Sequence, residues 1–296
     1  MADAIVVEGL EKSFGDQRVL DGIRFSVARG SIVALLGENG AGKTTTLRIL
    51  TTVTPADAGR VAVAGHDVAS AGREVRRRIS ATGQNVSVDA TLTGAENLEL
   101  MGELRGLSRR DARVRAQELL ERSGLSDAGR KRVRTYSGGM RRRLDLALSM
   151  VAPADVVFLD EPTTGLDTRA RSALWERVRE LAEAGAAVLV TTQYLEEADA
   201  LADRVLVLHR GRIVAEGTPA ELKARMGGAT VAVVDGDGAE VDSEGSDGTA
   251  AGLRDALARL EARGALGADS VIAVHAATLD DVFRRLTDDD GDEAPR

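Results

Sequence analysis

Residues 37–44 read GENGAGKT and fit the pattern G-x-x-x-x-G-K-[ST], between the apolar run SIVALL and the opening of a helix. The chemistry open to such a loop is anion binding. Glycines let the backbone curl into a nest whose N–H groups face phosphate oxygens, and the helix start adds partial positive charge. Gly37, Asn39, Gly40, Ala41, Gly42, Lys43, Thr44 and Thr45 are the candidate phosphate-binding residues. Lys43 would reach the β- and γ-phosphates, and the Thr44 hydroxyl would ligate Mg²⁺. A plain Gly-rich turn is the competing reading. A chance match to this pattern in a chain of this length is roughly a one-percent event, before the strand–loop–helix context is counted.

A metal-bound nucleotide needs an acidic partner, and VVFLDE at 156–161 supplies one: an apolar run ending in adjacent carboxylates. Asp160 would hold Mg²⁺ and Glu161 would polarise the attacking water. YSGGM at 136–140 opens a helix and allows two readings. Ser137 is a plausible N-cap. The functional alternative is that Ser137, Gly138 and Gly139 leave bare N–H groups that would meet a second anion, and the segment taken alone favours the cap. A third feature is the polar stop after AAVLV at 186–190, where Thr191, Thr192 and Gln193 follow directly. A side chain at the carboxyl end of a buried strand points into the crevice where ligands sit in α/β sheets.

The elements that must position these groups alternate. Residues 1–36 read as short strands and turns, followed by the loop and a helix over 43–52. Strand patterns at 61–64 and 78–82 precede a charged helical region spanning about 91–150, with helices expected at 96–104, 109–123 and 140–151. Strands return at 155–160 and 186–191 around a helix at 169–183. Alternation of this kind implies an α/β fold, a sheet with flanking helices interrupted by a helical insertion. RVLVLHRGRIVAEG predicts a hairpin turning at Arg210 and Gly211, and Thr218 opens a capping box. Residues 227–252 are rich in Gly, Asp and Ser and read as a domain boundary or loose loop. A small α/β accessory region follows: a helix at 253–263, a strand at 270–275, a helix from Thr278 and an acidic tail. The domains are therefore expected at 1–226 and 227–296.

Bulk composition excludes several classes. A chain of 296 residues with 43% hydrophobic content builds a true core, yet no apolar run approaches membrane-span length. The N-terminus shows no basic-then-apolar leader, which points to the cytoplasm. Without cysteine there are no disulfides or thiolate metal sites, and a net charge of −8 disfavours direct nucleic-acid binding. The arginine runs at 76–78 and 141–143 read as solvated faces, because stacking aromatics are nearly absent. Trp175, beside Leu174 and Val178, reads as core or interface.

Together the motifs, in this order, resemble the ATP-binding-cassette (ABC) ATPases over about residues 4–225. The resemblance implies ATP and Mg²⁺ as ligands. It also implies a head-to-tail homodimer in which Ser137 and Gly139 meet the nucleotide held by the partner's phosphate loop. By position, Phe14 would stack on adenine, where tyrosine is usual. Gln84 would sense the γ-phosphate and Mg²⁺, and Asp167 in the Gly165-Leu166-Asp167 stretch would face the partner subunit. Gln193 takes the place of the usual histidine; its carboxamide can still donate or accept a hydrogen bond but cannot become cationic. YSGGM followed by RRRLDLA, TTQYLEEAD, and LDDVFRRLT at 279–287 narrow the resemblance to drug exporters of the daunorubicin-resistance type. That implies a subunit peripheral to the inner face of the membrane, working with a separate multi-span protein. A soluble ABC ATPase without a transporter, or an importer subunit, are the alternatives.

Overall fold

The computed structural model describes residues 3–82, 88–224, 229–235, 240–266, 270–276, 278–280 and 282–283. Contacts divide the chain into two units, residues 1–213 and 214–296. The expected boundary at 226 and 227 falls outside the described residues.

The first unit opens with β1 (Asp3–Phe14) and β2 (Gln17–Ala28), then β3 (Ile32–Leu36), α1 (Lys43–Leu50), β4 (Ala58–Val63), β5 (His66–Asp67), α2 (Gly72–Arg78) and β6 (Ile79–Thr82). The helical insertion carries α3 (Gly94–Leu104), α4 (Arg109–Arg122) and α5 (Gly138–Ser149). After it come β7 (Val156–Asp160), α6 (Thr168–Glu183), β8 (Ala187–Thr192), α7 (Leu195–Leu201) and β9 (Arg204–His209), and β10 (Arg212–Gly217) carries the chain from the first unit into the second.

Two sheets result. The first, in order β2-β1-β4-β5, is antiparallel. Its two leading strands run 12 residues each, longer than the short strands expected from the sequence. The alternation is masked there by bulges: the register shifts between Val7 and Leu10, where Gly9 holds φ 62°. The second sheet has the order β10-β9-β3-β8-β7-β6. In β3, β7 and β8 every residue is buried. That matches their unbroken apolar runs, because parallel strands are covered on both faces. Arg210 and Gly211, with φ 46° and 78°, make the tight turn expected between β9 and β10.

Three clusters fill this unit. One lies between the two sheets and takes in Leu47, Ile49 and Leu50 of α1. A second packs Leu174, Val178 and Ala182 of α6 against Val157, Leu159, Val188 and Val190. The third belongs to the insertion, where Leu98, Leu119, Tyr136 and Leu144 meet. Its helices start on sequence-encoded caps: Thr93 and Glu96 form a reciprocal capping box, and Ser108 accepts from the Asp111 amide. A Cβ at Gly94 would lie 2.3 Å from the hydroxyl of the buried Tyr136, so any larger residue there must displace that ring.

The second unit holds α8 (Pro219–Ala224), β11 (Ala229–Val234), β12 (Glu240–Ser246), α9 (Ala250–Ala262) and β13 (Val271–Ala276). The strands form an antiparallel sheet in order β12-β11-β13. Much of the stretch read as a loose loop is therefore paired strand. Val231 and Val233 pack on Ala256 and Leu260 of α9, so two buried valines outweigh the surrounding Gly, Asp and Ser. Helical backbone at 279–280 and 282–283 agrees with the helix expected from Thr278. Among the described residues, no helix is long and apolar enough to cross a membrane.

Candidate active site

Strand register explains why the chemistry gathers at one pole. Leu36 pairs with Thr192 between β3 and β8, and Asp160 pairs with Thr191 between β7 and β8. The three parallel strands thus end level, and the phosphate loop, the Asp160–Glu161 pair and Gln193 all leave from that level. The Gly37 amide donates to the Thr192 carbonyl at 3.3 Å, tying the loop to the strand that precedes Gln193.

The loop itself is shaped by glycine. Gly40 and Gly42 hold φ 86° and 111°. A Cβ on Gly37 would lie 2.4 Å from the Leu208 carbonyl oxygen, and one on Gly42 would lie 2.6 Å from Leu20. The antiparallel sheet, together with β9 of the other sheet, therefore presses directly on the loop. Its β1–β2 turn carries Phe14, paired with Gln17, and the Phe14 ring is half exposed with the Lys12 ammonium 5.3 Å from its centroid. Asn39 and Gly40 are exposed, Ala41 is buried, and Thr45 is half-buried in the first turn of α1.

Lys43 is 5% exposed. Its ammonium donates to the Gly37 carbonyl at 2.6 Å and the Glu38 carbonyl at 3.0 Å, and lies 3.5 Å from a Glu161 carboxylate oxygen. Burial lowers its pKa below the ordinary lysine range, and the charges of Glu161, Asp160 and Glu38 oppose that shift. The Thr44 hydroxyl donates to Asp160 at 3.2 Å, and Thr191 donates to the other Asp160 oxygen at 2.6 Å. Thr44 and Asp160 together present hard oxygen donors side by side, the ligand chemistry that suits Mg²⁺.

Glu161 stands in the left-handed region with φ 46°, a conformation that costs about 1–3 kcal/mol for a non-glycine residue. It persists because both its backbone groups are held. Its amide donates to the Thr191 carbonyl at 3.0 Å, and its carbonyl accepts from Arg142 at 2.9 Å. Arg142 also donates to the carbonyls of Asp160 and Pro162 and pairs with Asp145 at 3.3 Å. This corrects the sequence reading of 141–143 as a solvated face: Arg141 is exposed, but Arg142 is 7% exposed and half encloses the strand end. The three-residue spacing of Arg142 and Asp145 on one helix was the available signal. Arg76, Arg77 and Arg78 are exposed, as expected.

Ser137 caps α5, accepting from the Met140 amide at 3.2 Å, so the capping reading of this segment stands. The anion-site reading keeps its geometry as well. Ser137 and Gly138 are exposed and Gly139 is half-buried, and a Cβ added to either glycine would meet nothing within 4 Å. Tyr136, just before them, anchors the helix start: it is 3% exposed and its hydroxyl donates to the Ala128 carbonyl at 2.7 Å. Asp167 is exposed and caps α6 through the Ala170 amide at 2.8 Å. Gln193 is half-buried at the strand end. Gln84 lies outside the described residues.

The profile of the ABC transporter family matches residues 20–164. A daunorubicin resistance ATP-binding protein of Streptomyces coeruleorubidus is 49% identical, covering 98% of both chains. A Nod factor export ATP-binding protein of Ralstonia nicotianae is 44% identical over 78% of this chain and 72% of its own. Among solved structures, the ATP-binding subunit of an ABC transporter superposes with a TM-score of 0.70 at 30% identity, covering 76% of this chain and 93% of that one.

Proposed function

The chain belongs to the ATP-binding proteins of the ABC transporter family and is an ATPase, and on that premise we propose that it energises export of a hydrophobic, drug-like compound through a separate multi-span membrane subunit. The observation that carries the reading is the convergence of Lys43, Thr44, Asp160 and Glu161 at one pole of the sheet. Relatives named for drug resistance and Nod factor export support the direction of transport.

In this reading the loop amides and Lys43 hold the β- and γ-phosphates of ATP. Mg²⁺ bound at Thr44 and Asp160 would neutralise charge on the phosphates. Glu161 orients the attacking water and accepts its proton, and the products are ADP and phosphate. Phe14 offers its exposed face to adenine, and Gln193 and Gln84 sense the γ-phosphate. Two copies pair so that Ser137, Gly138 and Gly139 of one close over the nucleotide of the other, with Asp167 at the seam. Catalysis is then mostly positioning and electrostatics. ATP draws the copies together, hydrolysis releases them, and the movement is passed to the membrane subunit. The protein works at the inner face of the membrane through that docking and makes no contact with nucleic acid.

The test is co-purification with candidate multi-span membrane proteins of the same cell, followed by ATPase assays across candidate compounds. Recovery with a soluble partner, and no compound-stimulated turnover, would overturn export. Glu161→Gln should reduce turnover by about 10²–10³-fold while retaining an ATP-bound dimer on size exclusion. Turnover at the wild-type rate would remove Glu161 from its role.

A further inference from the structure

Glu197 is a buried acid that the hydrolytic scheme leaves without a task. It lies in α7, four residues after Gln193, and is 1% exposed. Neither carboxylate oxygen completes a hydrogen bond at ordinary geometry. Facing the same interior are the Thr163 hydroxyl, the Trp175 indole N–H and the Arg171 Nε, each buried and likewise without a completed bond. Burial pushes the Glu197 carboxyl up, while Thr192, Thr163, Trp175 and the Arg171 charge favour its ionised form. Donors and acceptor therefore surround one point without closing on it. Buried polar groups left in that condition are rare and call for an explanation.

The surroundings connect the two stretches on which turnover depends. Thr163 lies two residues after Glu161 and four before Asp167, and its carbonyl accepts from the Leu166 amide at 3.0 Å. Thr192 shapes the turn bearing Gln193, since its hydroxyl accepts from the Tyr194 amide at 2.9 Å. Arg171 and Trp175 stand on α6, whose first turn is capped by Asp167. Arg171 reaches the same turn from outside: it pairs with Glu196 at 3.5 Å and lies 5.7 Å from the Tyr194 ring centroid.

We propose that Glu197 is a positioning residue, a buried acceptor that draws Thr163, Thr192 and Trp175 together when the site closes on ATP. The loop from Glu161 to Asp167 and the strand end at Gln193 then move as one body. The neutral Gln193 makes such support matter more, because a carboxamide cannot attract a phosphate by charge and works only where it is held. The inference rests on the ATPase reading above.

Trp175 is the only tryptophan in the chain, so its emission reports on this cluster directly. With purified full-length protein, ATP should shift Trp175 emission in Glu161→Gln, and adding Glu197→Ala should abolish the shift. Steady-state turnover of the single variant Glu197→Ala should fall at least about tenfold, with KM for ATP within about twofold of wild type. Glu197→Gln, which keeps one acceptor, should lie between them. Thr163→Val is isosteric and serves if the alanine variant does not fold; its kcat should fall several-fold. A folded Glu197→Ala or Thr163→Val with wild-type kcat, or an emission shift that survives Glu197→Ala, overturns the proposal. Wild-type protein that hydrolyses no ATP, alone or with a co-purifying membrane protein, would instead sink the ATPase reading itself.

Discussion

The two halves of the site are built in opposite ways. Around the phosphate loop, Lys43, Asp160 and Thr191 are buried, and their elements are bonded to one another across 31 to 116 residues of sequence. Ser137 and Gly138 are exposed and Gly139 is half-buried, and the Ser137 hydroxyl makes a local cap with the Met140 amide. Buried, cross-linked groups keep their geometry without help. An exposed helix start can serve a phosphate only when another surface brings one to it. The contrast teaches that this chain preorganises one half of the proposed site and displays the other, as the proposed head-to-tail pairing would require. The two halves are not independent, however. Arg142 grows from the displayed helix and bonds three successive carbonyls of the buried strand end.

Arg142 offers the strongest way to break the contrast. Arg142→Met should destabilise the fold by about 3–5 kcal/mol, because Asp145 and three carbonyls would lose a buried partner. Denaturant unfolding would read this loss, and an unchanged midpoint would show that the two halves are not joined there. Lys43→Ala comes next, with an expected reduction in ATP affinity and turnover of about 10²–10³-fold. Equilibrium nucleotide binding distinguishes a binding effect from one confined to the chemical step.

Gly139→Asp sharpens the contrast from the exposed side. The new side chain enters open space, so the melting temperature should hold. Turnover should nevertheless drop by about 10²-fold through repulsion of a phosphate, with ATP binding to the isolated chain nearly unaffected. Weakened binding to the monomer would mean that the segment serves its own nucleotide. The smallest effect is expected at Gln193. Gln193→Ala should slow turnover about three- to tenfold, the worth of one neutral hydrogen bond, and Gln193→His should restore or raise it. If both match wild type in a steady-state assay, the position stands outside the catalytic site.

What was legible in the sequence was local. The phosphate loop, the acidic strand end, the helix caps at Ser137 and Thr218, and the buried parallel strands each follow from spacing or period within a dozen residues. Glycines at 40 and 42 were legible too, since only a positive φ there lets the loop turn. Misread elements had local signals pointing elsewhere. Bulges hid the length of β1 and β2, and polar composition hid the strands at 229–234 and 240–246. Their decisive contacts are with distant partners.

Tertiary structure alone decided how the motifs combine. Glu161 is held in a strained conformation by Thr191, 30 residues away, and by Arg142, 19 residues away. Arg142 and its exposed neighbour Arg141 are the same residue type one position apart, and only packing tells them apart. Glu197 likewise looks like any acid on a surface helix until α6 and the loop at Thr163 close around it. A sequence records which groups can bind phosphate, metal or water, because that chemistry belongs to single residues and short spacings. Which charges are buried, and which loops they tie together, depends on long-range contacts that local sequence patterns do not specify.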